Sequence, residues 1–462
     1  MKLRIAALAL LLCVPFALQS RELPPAPGQP RDFRLPARET RVLGNGLALT
    51  FIDWGTVPKT TVLAVVRSGN IDDGPSTWLA DLTAEMMKEG TTTRPASAIA
   101  ETAAGMGGAL NVGAGAEQST VGISVLSEHA TDAVGLVADV LQNPAFPEAE
   151  LPRVVANFER SIAIARSDPQ SLAGEAMARL VYGDHPFGRA LPEPGQLGGY
   201  GIAAVRAFHE RNFGARRTHV YVAGRFDRPA LEAAMVAAFG GWREGAPATV
   251  LPALPAESLQ LALVDTPGAP QSSIRLAVAV PHPAHAQYFP TTLMNSLLGG
   301  AFGSRITANI REDKGYSYSP DSAISARRGT ALWVMSAEVT TEHTADALHE
   351  IYREIARLQA EPPPAAELDA IKAYRAGLFV ISNSSPNGVL SQLAFMDLHG
   401  LPADFLARWV ANVHAVTPAE ISAIAARYVL PAKMTVVVAG DLAKVGESVR
   451  KLPELQGAKS PE

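Results

Sequence analysis

The chain has 462 residues, of which 47% are hydrophobic and 18% charged, and its formal net charge at pH 7 is −5. This composition is too apolar for a disordered chain, and the length exceeds the ~250–300 residues at which single cores stop growing. The negative balance gives no electrostatic basis for nucleic-acid binding, so a globular protein with more than one domain is predicted.

The N-terminus predicts a secretory signal peptide over residues 1–20. Lys2 and Arg4 precede an apolar run that is shorter than the ~20 residues needed to span a bilayer. Cys13 follows Leu12 rather than the small residue that usually precedes an acylated cysteine, so simple secretion is preferred to lipid anchoring. A short signal of this kind indicates export across an inner membrane into a periplasm. No later segment is predicted to span a membrane.

An extended leader, rich in proline and charge, is predicted over residues 21–38, and a first domain over residues 39–243. Apolar alternation in this domain is typical of strands, and amphipathic stretches are typical of helices. The predicted strands are residues 48–52, 61–66 and 219–224, and the predicted helices are residues 127–142, 148–166 and 205–212.

A Pro-rich linker without hydrophobic period is predicted over residues 244–258, and a second domain over residues 259–462. The second domain repeats the order of the first, which indicates duplication. Its predicted strands are residues 261–264, 274–280 and 435–440, and its predicted helices are residues 344–358 and 418–428. The pattern favours an α+β fold of two homologous domains, each an antiparallel sheet with helices packed on one face.

A helical segment early in the first domain carries two acidic residues on one face. It reads Trp-Leu-Ala-Asp-Leu-Thr-Ala-Glu-Met-Met-Lys-Glu-Gly-Thr from Trp78 to Thr91, with Asp81 and Glu85 at positions i and i+4. Two carboxylates could in principle hold a cation, but zinc sites in enzymes use imidazole nitrogens with one carboxylate around an open position. A solvated acidic face without a metal is therefore predicted.

A glycine-rich segment in the second domain, Leu-Leu-Gly-Gly-Ala-Phe-Gly-Ser-Arg, is followed by an arginine and a tyrosine. Its candidate functional residues are Gly299, Gly300, Gly303, Arg311 and Tyr318.

Both segments resemble signatures of the insulinase/pitrilysin family of zinc peptidases. The first resembles the inverted zinc motif G-L-A-H-x-x-E-H-M-x-x-x-G-T, with Asp81 and Glu85 in place of the two His and Ala84 in place of the Glu. The second resembles L-G-G-x-x-x-S-R…R-E-x-x-G-x-x-Y and keeps every lettered position. The family's third ligand is a Glu on a later helix, and Glu159 lies near that place but out of register.

The resemblance implies two domains that close like a clamshell, in a chain that binds no metal itself. It implies a heterodimer in which a homologous subunit carries the zinc and cleaves short unfolded peptides. Arg311 would bind a peptide carbonyl and Tyr318 would donate to the oxyanion. Gly299, Gly300 and Gly303 would let a substrate backbone approach closely.

Two alternatives stay open. The chain could be a peptidase that works alone with Asp81, Glu85 and Glu159 as unusual ligands. It could also be a non-enzymatic scaffold or peptide-binding protein. A neighbouring gene for a family member with an intact H-x-x-E-H motif would favour the heterodimer.

Overall fold

A computed structural model describes residues 34–460, so the predicted signal peptide and most of the predicted leader lie outside the described residues. The described chain contains two sheets, one built from residues 38–224 and one from residues 260–440. We refer to these two parts as the first and second halves. Residues 243–257 form no helix or strand. The domain boundaries proposed from the sequence stay predictions.

Every strand and helix predicted for the first half is present, with small shifts at the ends. The strands are β1 (Arg38–Val42), β2 (Ala48–Asp53), β3 (Lys59–Val66), β4 (Asn111–Ala114), β5 (Ser119–Leu126) and β6 (Thr218–Gly224). The helices are α1 (Leu79–Met87), α2 (Ala96–Gly105), α3 (Ala130–Gln142), α4 (Leu151–Ala165), α5 (Pro169–Tyr182), α6 (Ile202–Asn212) and α7 (Arg228–Phe239).

The second half also contains every element predicted for it. The strands are β7 (Gln260–Asp265), β8 (Gln271–Val280), β9 (Asp321–Arg327), β10 (Thr330–Thr340) and β11 (Thr435–Gly440). The helices are α8 (Tyr288–Asn295), α9 (Arg305–Thr307), α10 (Thr344–Ala360), α11 (Ala365–Ser382), α12 (Pro386–His399), α13 (Trp409–Ala415), α14 (Pro418–Tyr428) and α15 (Leu442–Arg450). Two π-helical segments, Ser296–Gly300 and Ala308–Asp313, follow α8 and α9.

The two sheets have matching strand orders, which confirms the predicted α+β fold of two similar domains. The first sheet runs β1-β2-β6-β3-β5-β4 and the second runs β7-β11-β8-β10-β9. The prediction of antiparallel sheets needs one correction, because β2 pairs with β6 and β7 pairs with β11 in parallel. In each half the last strand follows a series of helices and pairs in parallel with an early strand, β2 in the first half and β7 in the second. A parallel pair needs such a long crossover connection.

One face of each sheet packs against helices of its own half. In the first half, apolar residues of α1, α3, α6 and α7 cover β2, β3, β5 and β6. In the second half, α10 and α14 supply much of the corresponding layer. Because β6 and β11 are buried along almost their whole length, both of their faces need a covering layer.

The opposite face of each sheet is covered by a helix from the other half, which corrects the prediction of helices on one face only. Helix α5 packs Met177 and Val181 against an apolar layer that includes Val437 of the second sheet. Helix α12 packs on β3 and β6 of the first sheet, close to Tyr221. The two exchanged helices therefore join the halves through two separate apolar layers.

Polar contacts also stabilise the packing of α12 on the first sheet. Asp397 of α12 accepts a hydrogen bond from the hydroxyl of Tyr221, and its Oδ2 lies 2.6 Å from Nδ1 of His219. Arg67 donates to the backbone carbonyl of Asp397. Burial acts to raise the pKa of Asp397, but the hydrogen bonds from His219 and Tyr221 and the charge of Arg67 outweigh it and hold the pKa below its usual value. We call these four residues the inter-half contact.

Residues 34–460 include no helix whose length and apolar character would allow it to cross a membrane.

Candidate functional site

Helix α1, which carries the first motif, begins at a residue with unusual backbone geometry. Trp78 adopts φ = 65°, in the left-handed region that bulky side chains rarely occupy. The Asp73 carboxylate holds this turn, because it accepts hydrogen bonds from the backbone N–H of Trp78 at 2.9 Å and of Ala80 at 2.8 Å. Asp73, which lies outside the helix, thus satisfies backbone N–H groups at the start of α1, as a helix cap does. Sequence reasoning missed this residue, and the only signal was an acidic residue in the turn before the helix.

Asn70 connects Asp73 to Asp81. Its Nδ2 donates to Asp73 Oδ2 at 3.1 Å and to Asp81 Oδ2 at 2.5 Å. Burial raises the pKa of Asp73 to about 7, and burial also raises the pKa of Asp81. The two carboxyl groups therefore form a partly buried network whose hydrogen bonds serve the start of α1.

The rest of the first motif is also occupied by internal contacts. Glu85 pairs with Lys88 at 2.5 Å, and both side chains are more than one-third exposed. Ala84 is 2% exposed, so the position of the family's base is a buried methyl group. The prediction of a solvated acidic face is right for Glu85 and needs correction for Asp81, which is half-buried and hydrogen-bonded because the preceding turn folds over it.

The residues of the first motif do not fit a zinc ion. Asp81 already accepts from Asn70, Glu85 faces the ammonium of Lys88, and Glu159 is exposed on α4. Across residues 34–460, no three or more His, Cys, Asp or Glu side chains are grouped so that they could hold a metal ion. Zinc prefers imidazole and thiolate ligands around an open position, and this segment supplies neither.

The second motif begins with two glycines that are needed for internal packing. A Cβ on Gly299 would lie 2.5 Å from Ser322 Oγ, and a Cβ on Gly300 would lie 2.4 Å from Asn295 Nδ2. Ser322 of β9 in turn donates to Asn295 Oδ1 at 2.8 Å. The close approach predicted for a substrate backbone is thus made here by the protein's own strand. A Cβ on Gly303, by contrast, would meet nothing within 4 Å.

Buried polar contacts fix the segment between the glycines and Arg311. The Arg305 guanidinium makes a two-pronged pair with Glu367 of α11, at 2.9 and 2.8 Å. Asn309 Nδ2 donates to both Glu350 and Glu354 of α10, each at 2.9 Å. These contacts hold the second π-helical segment against two long helices, and such support is what a preorganised binding group requires.

Arg311 and Tyr318, the predicted functional pair, are brought together at the surface with a third residue, Phe302. Arg311 Cζ lies 4.5 Å from the ring centroid of Phe302 and 5.1 Å from that of Tyr318. Phe302 is 71% exposed and Tyr318 is 79% exposed. Arg311 Nε also lies 3.1 Å from Glu312 Oε1. We call Phe302, Arg311 and Tyr318 the arginine–aromatic cluster.

The cluster adjoins an apolar cavity of about 310 Å³ between the glycine-rich loop and α11. Phe302 and Gly303 line it from the loop, and Ile371 and Tyr374 line it from α11. Sequence reasoning missed Phe302, because it occupies an unspecified position of the motif. The predicted roles of Arg311, Tyr318 and the glycines in substrate binding stay predictions.

Fold and motifs together define a two-domain α+β protein of the zinc-peptidase type whose ligand motif is degenerate. Residues 55–195 match the family described as Insulinase (Peptidase family M16), and residues 202–374 match Peptidase M16 inactive domain. The chain belongs to the insulinase/pitrilysin family, M16.

Known relatives cover most of the chain. An uncharacterized zinc protease of Mycobacterium leprae is 26% identical over 82% of this chain and 88% of its own length. One of Bacillus subtilis is 23% identical over 75% of this chain and 85% of its own.

Two solved structures share the fold. The crystal structure of a peptidase M16 inactive domain from Pseudomonas fluorescens has a TM-score of 0.81 and 24% identity, and covers 87% of this chain and 98% of its own. A protease from Helicobacter pylori has a TM-score of 0.82 and 16% identity, and covers 88% of this chain and 100% of its own. Membership of the family and the ligand geometry above are consistent with a zinc-free, non-catalytic member.

Proposed function

We propose that this chain is the zinc-free subunit of a heterodimeric insulinase-like metallopeptidase and that it binds the substrate for a zinc-bearing partner. The observation that carries the proposal is the exposed arginine–aromatic cluster. Among the described residues, the hydroxyl of Tyr318 has no hydrogen-bond partner, and the ring is 79% exposed. Large exposed aromatic groups beside an arginine are typical of binding sites rather than of structural surfaces.

The cluster has the chemistry to hold a peptide. The Arg311 guanidinium supplies several N–H donors for a backbone carbonyl, and the Tyr318 hydroxyl supplies one for the oxyanion of a tetrahedral intermediate. The cavity beside Phe302 and Gly303 is open to an apolar side chain. Zinc, bound by the partner, would supply a Lewis acid and an activated water. Short unfolded peptides are the proposed substrates.

Reconstitution with a family member that keeps H-x-x-E-H tests the proposal. Each chain is purified alone and in mixture, and zinc content, complex formation and peptide hydrolysis are measured. We expect near-zero zinc in this chain, one zinc per heterodimer, and hydrolysis that is strong only for the mixture. One zinc per isolated chain, lost on Asp81→Ala or Glu85→Ala, or hydrolysis by the isolated chain that a chelator stops, would instead establish a peptidase that works alone.

We also propose that the chain is exported across the inner membrane to a periplasm. The basic residues and short apolar run at the N-terminus support this proposal. Cell fractionation and N-terminal sequencing of the mature protein test it. Recovery of the uncleaved chain in the cytoplasm would contradict it.

A peptide-binding protein without a catalytic partner is the second candidate, and one feature of the fold favours it. Strand β4 forms the edge of the first sheet and is partly exposed. An exposed edge strand can bind an extended peptide by adding it to the sheet. Tight peptide binding by the isolated chain, without any effect on a partner's turnover, would favour this role.

A further inference from the structure

A second cavity, separate from the cavity beside the arginine–aromatic cluster, lies among α8, α11, α12 and the start of α13. Its volume is about 420 Å³, within the range of small-molecule sites. Aromatic rings dominate its walls, and they come from Tyr288, Phe379, Phe395, Phe405 and Trp409. The rings of Phe379 and Trp409 stack at 4.3 Å with an angle of 3° between their planes. The cavity therefore offers flat apolar surfaces that are already in position.

Among the described residues, one cation, Arg375 of α11, lines this aromatic cavity, and no carboxylate does. Within residues 34–460, Arg375 has no ion pair, and its Nε is buried without a hydrogen-bond partner. Its Cζ lies 5.8 Å from the centroid of the Trp409 ring. Tyr288 and Tyr374 also interact electrostatically with it. Burial lowers the pKa of Arg375, yet an arginine stays charged in proteins.

Another arginine nearby shows what Arg375 lacks. Arg305, which contacts the same helix α11, has both prongs of its guanidinium on Glu367. Arg375 as a whole is partly exposed, and its Nε is buried. Placing part of a guanidinium in a cavity without a counterion costs free energy, because water is removed from that part and no protein group replaces it. Charged groups without a partner in the protein are expected at functional sites, where a ligand supplies the missing partner.

We propose that this cavity binds an organic carboxylate with an aromatic or branched apolar body. The carboxylate would pair with the Arg375 guanidinium, whose planar fork matches two carboxylate oxygens. The apolar body would lie against the rings of Phe379 and Trp409 and their neighbours. The source of this chemistry is either a free small carboxylate or the C-terminal residue of a peptide. The site is independent of the proposed heterodimer.

Other ligand classes fit the cavity less well. A cation would be repelled by Arg375, and a neutral apolar molecule would leave the guanidinium unpaired. An inorganic anion would satisfy Arg375 but would leave the aromatic walls without an apolar partner. An apolar carboxylate satisfies both parts of the lining at once.

The test compares two probes that differ in charge alone, N-acetyl-L-phenylalanine and its amide. Binding to the full chain is measured by calorimetry and by the shift in melting temperature. We expect the acid to bind at least about 10-fold more tightly than the amide, because a charge-assisted hydrogen bond is lost with the amide. Gly-Gly-Phe with a free or amidated C-terminus is the second pair of probes. Stronger binding of the free peptide than of the free small acid identifies a peptide end as the source.

The variants Arg375→Gln and Arg375→Met complete the test. Both should lose about 10-fold or more in affinity for the acid and keep their affinity for the amide. Arg375→Met should melt at the same or a higher temperature than the parent without ligand, because it removes an unpaired, partly buried charge. This measurement distinguishes folding failure from lost binding. Arg408→Gln, which changes an exposed arginine paired with Asp404 on the surface, is the matched control and should bind like the parent. Equal binding of acid and amide by the parent, or unchanged binding of the acid by Arg375→Gln, would overturn the proposal.

Discussion

The two motif segments of this chain differ in how their polar side chains are used. Around α1, Asp73, Asn70 and Asp81 hydrogen-bond to one another and to the backbone, and Glu85 pairs with Lys88. In the second segment, the buried polar groups hold the loop in place, while the arginine–aromatic cluster stays exposed. The side chains at the substituted ligand positions thus have partners within the first segment. The Arg311 side chain contacts surface neighbours, among them Glu312 and Phe302, and Tyr318 is 79% exposed.

This difference indicates where a binding site is to be sought in a family member whose zinc motif is degenerate. A polar group whose hydrogen bonds are all made inside the protein stabilises the fold and has little left for a ligand. A rigidly supported group that has no internal partner is available to one. By this criterion the second segment is the proposed substrate-binding region, and the first serves the fold.

Substitution of the exposed pair tests the comparison most strongly. Arg311→Ala or Tyr318→Phe should lower kcat/KM of the reconstituted complex about 100- to 1,000-fold, the typical cost of removing one oxyanion donor. Tyr318→Phe keeps the ring beside Arg311 and removes only the hydroxyl. Arg211→Ala, at an exposed arginine with no ion pair in residues 34–460, is the control. A double variant that cleaves peptides at the parent rate would show that the pair has no catalytic role.

Replacement of Asp73 tests whether the first segment is structural. Its pKa is raised to about 7, so its contribution to the free energy of unfolding is full below pH ~3.9 and is lost as pH rises through about 7. The free energy of unfolding of the parent should therefore decrease between pH 5 and pH 8, and in Asp73→Asn this decrease should be smaller by about 3 kcal/mol at most. Urea unfolding at both pH values measures this. Asp53→Asn, at an exposed site, should keep the parent slope, and an unchanged slope in Asp73→Asn would contradict the raised pKa.

In the inter-half contact, too, polar side chains are paired with one another. The pH dependence of its contribution to the free energy of unfolding is opposite to that of Asp73. The pKa of Asp397 is lowered, so its contribution is present above pH ~3.9 and is lost as pH falls through the folded value. Asp397→Asn should destabilise the chain by about 1 kcal/mol at pH 7, since the side chain is 41% exposed, and the difference from the parent should be smaller at pH ~3. Urea unfolding at the two pH values checks this. Asp404→Asn, in an exposed pair with Arg408, is the control.

The smallest effect is expected at Glu85. Its pair with Lys88 is solvent-exposed, so Glu85→Ala should change the free energy of unfolding by less than about 0.5 kcal/mol. Zinc content of the purified chain should not change either. If the parent binds zinc and this variant loses it, the first segment would be a metal site, and the assignment of a structural role to it would be wrong.

Local sequence pattern predicted the central strands of each sheet and several amphipathic helices, because each has a period that burial on one side imposes. It left other elements unpredicted, among them α5 and α12, although both carry start signals. Asp168 accepts from Ser171 N–H at 2.9 Å ahead of Pro169, and Ser385 accepts from Gly388 N–H at 3.1 Å ahead of Pro386. The exchange of these helices between halves has no local signature, because it depends on which distant apolar face each helix meets.

The sequence by itself determined the duplicated α+β plan, because residue patterns and their repetition suffice for it. The loss of the zinc-ligand residue types and the candidate pair Arg311 and Tyr318 followed from the resemblance of the two segments to the family's motifs. Only the tertiary structure showed that Asn70, which also binds Asp73, donates a hydrogen bond to Asp81. It also showed that strand β9 packs closely against Gly299 and Gly300, and that Phe302 lies beside Arg311. It also decided that Arg375 lies among aromatic rings and has no ion pair within residues 34–460. Hydrogen-bond partners and unpaired charges depend on residues far apart in the chain, and only packing brings these together.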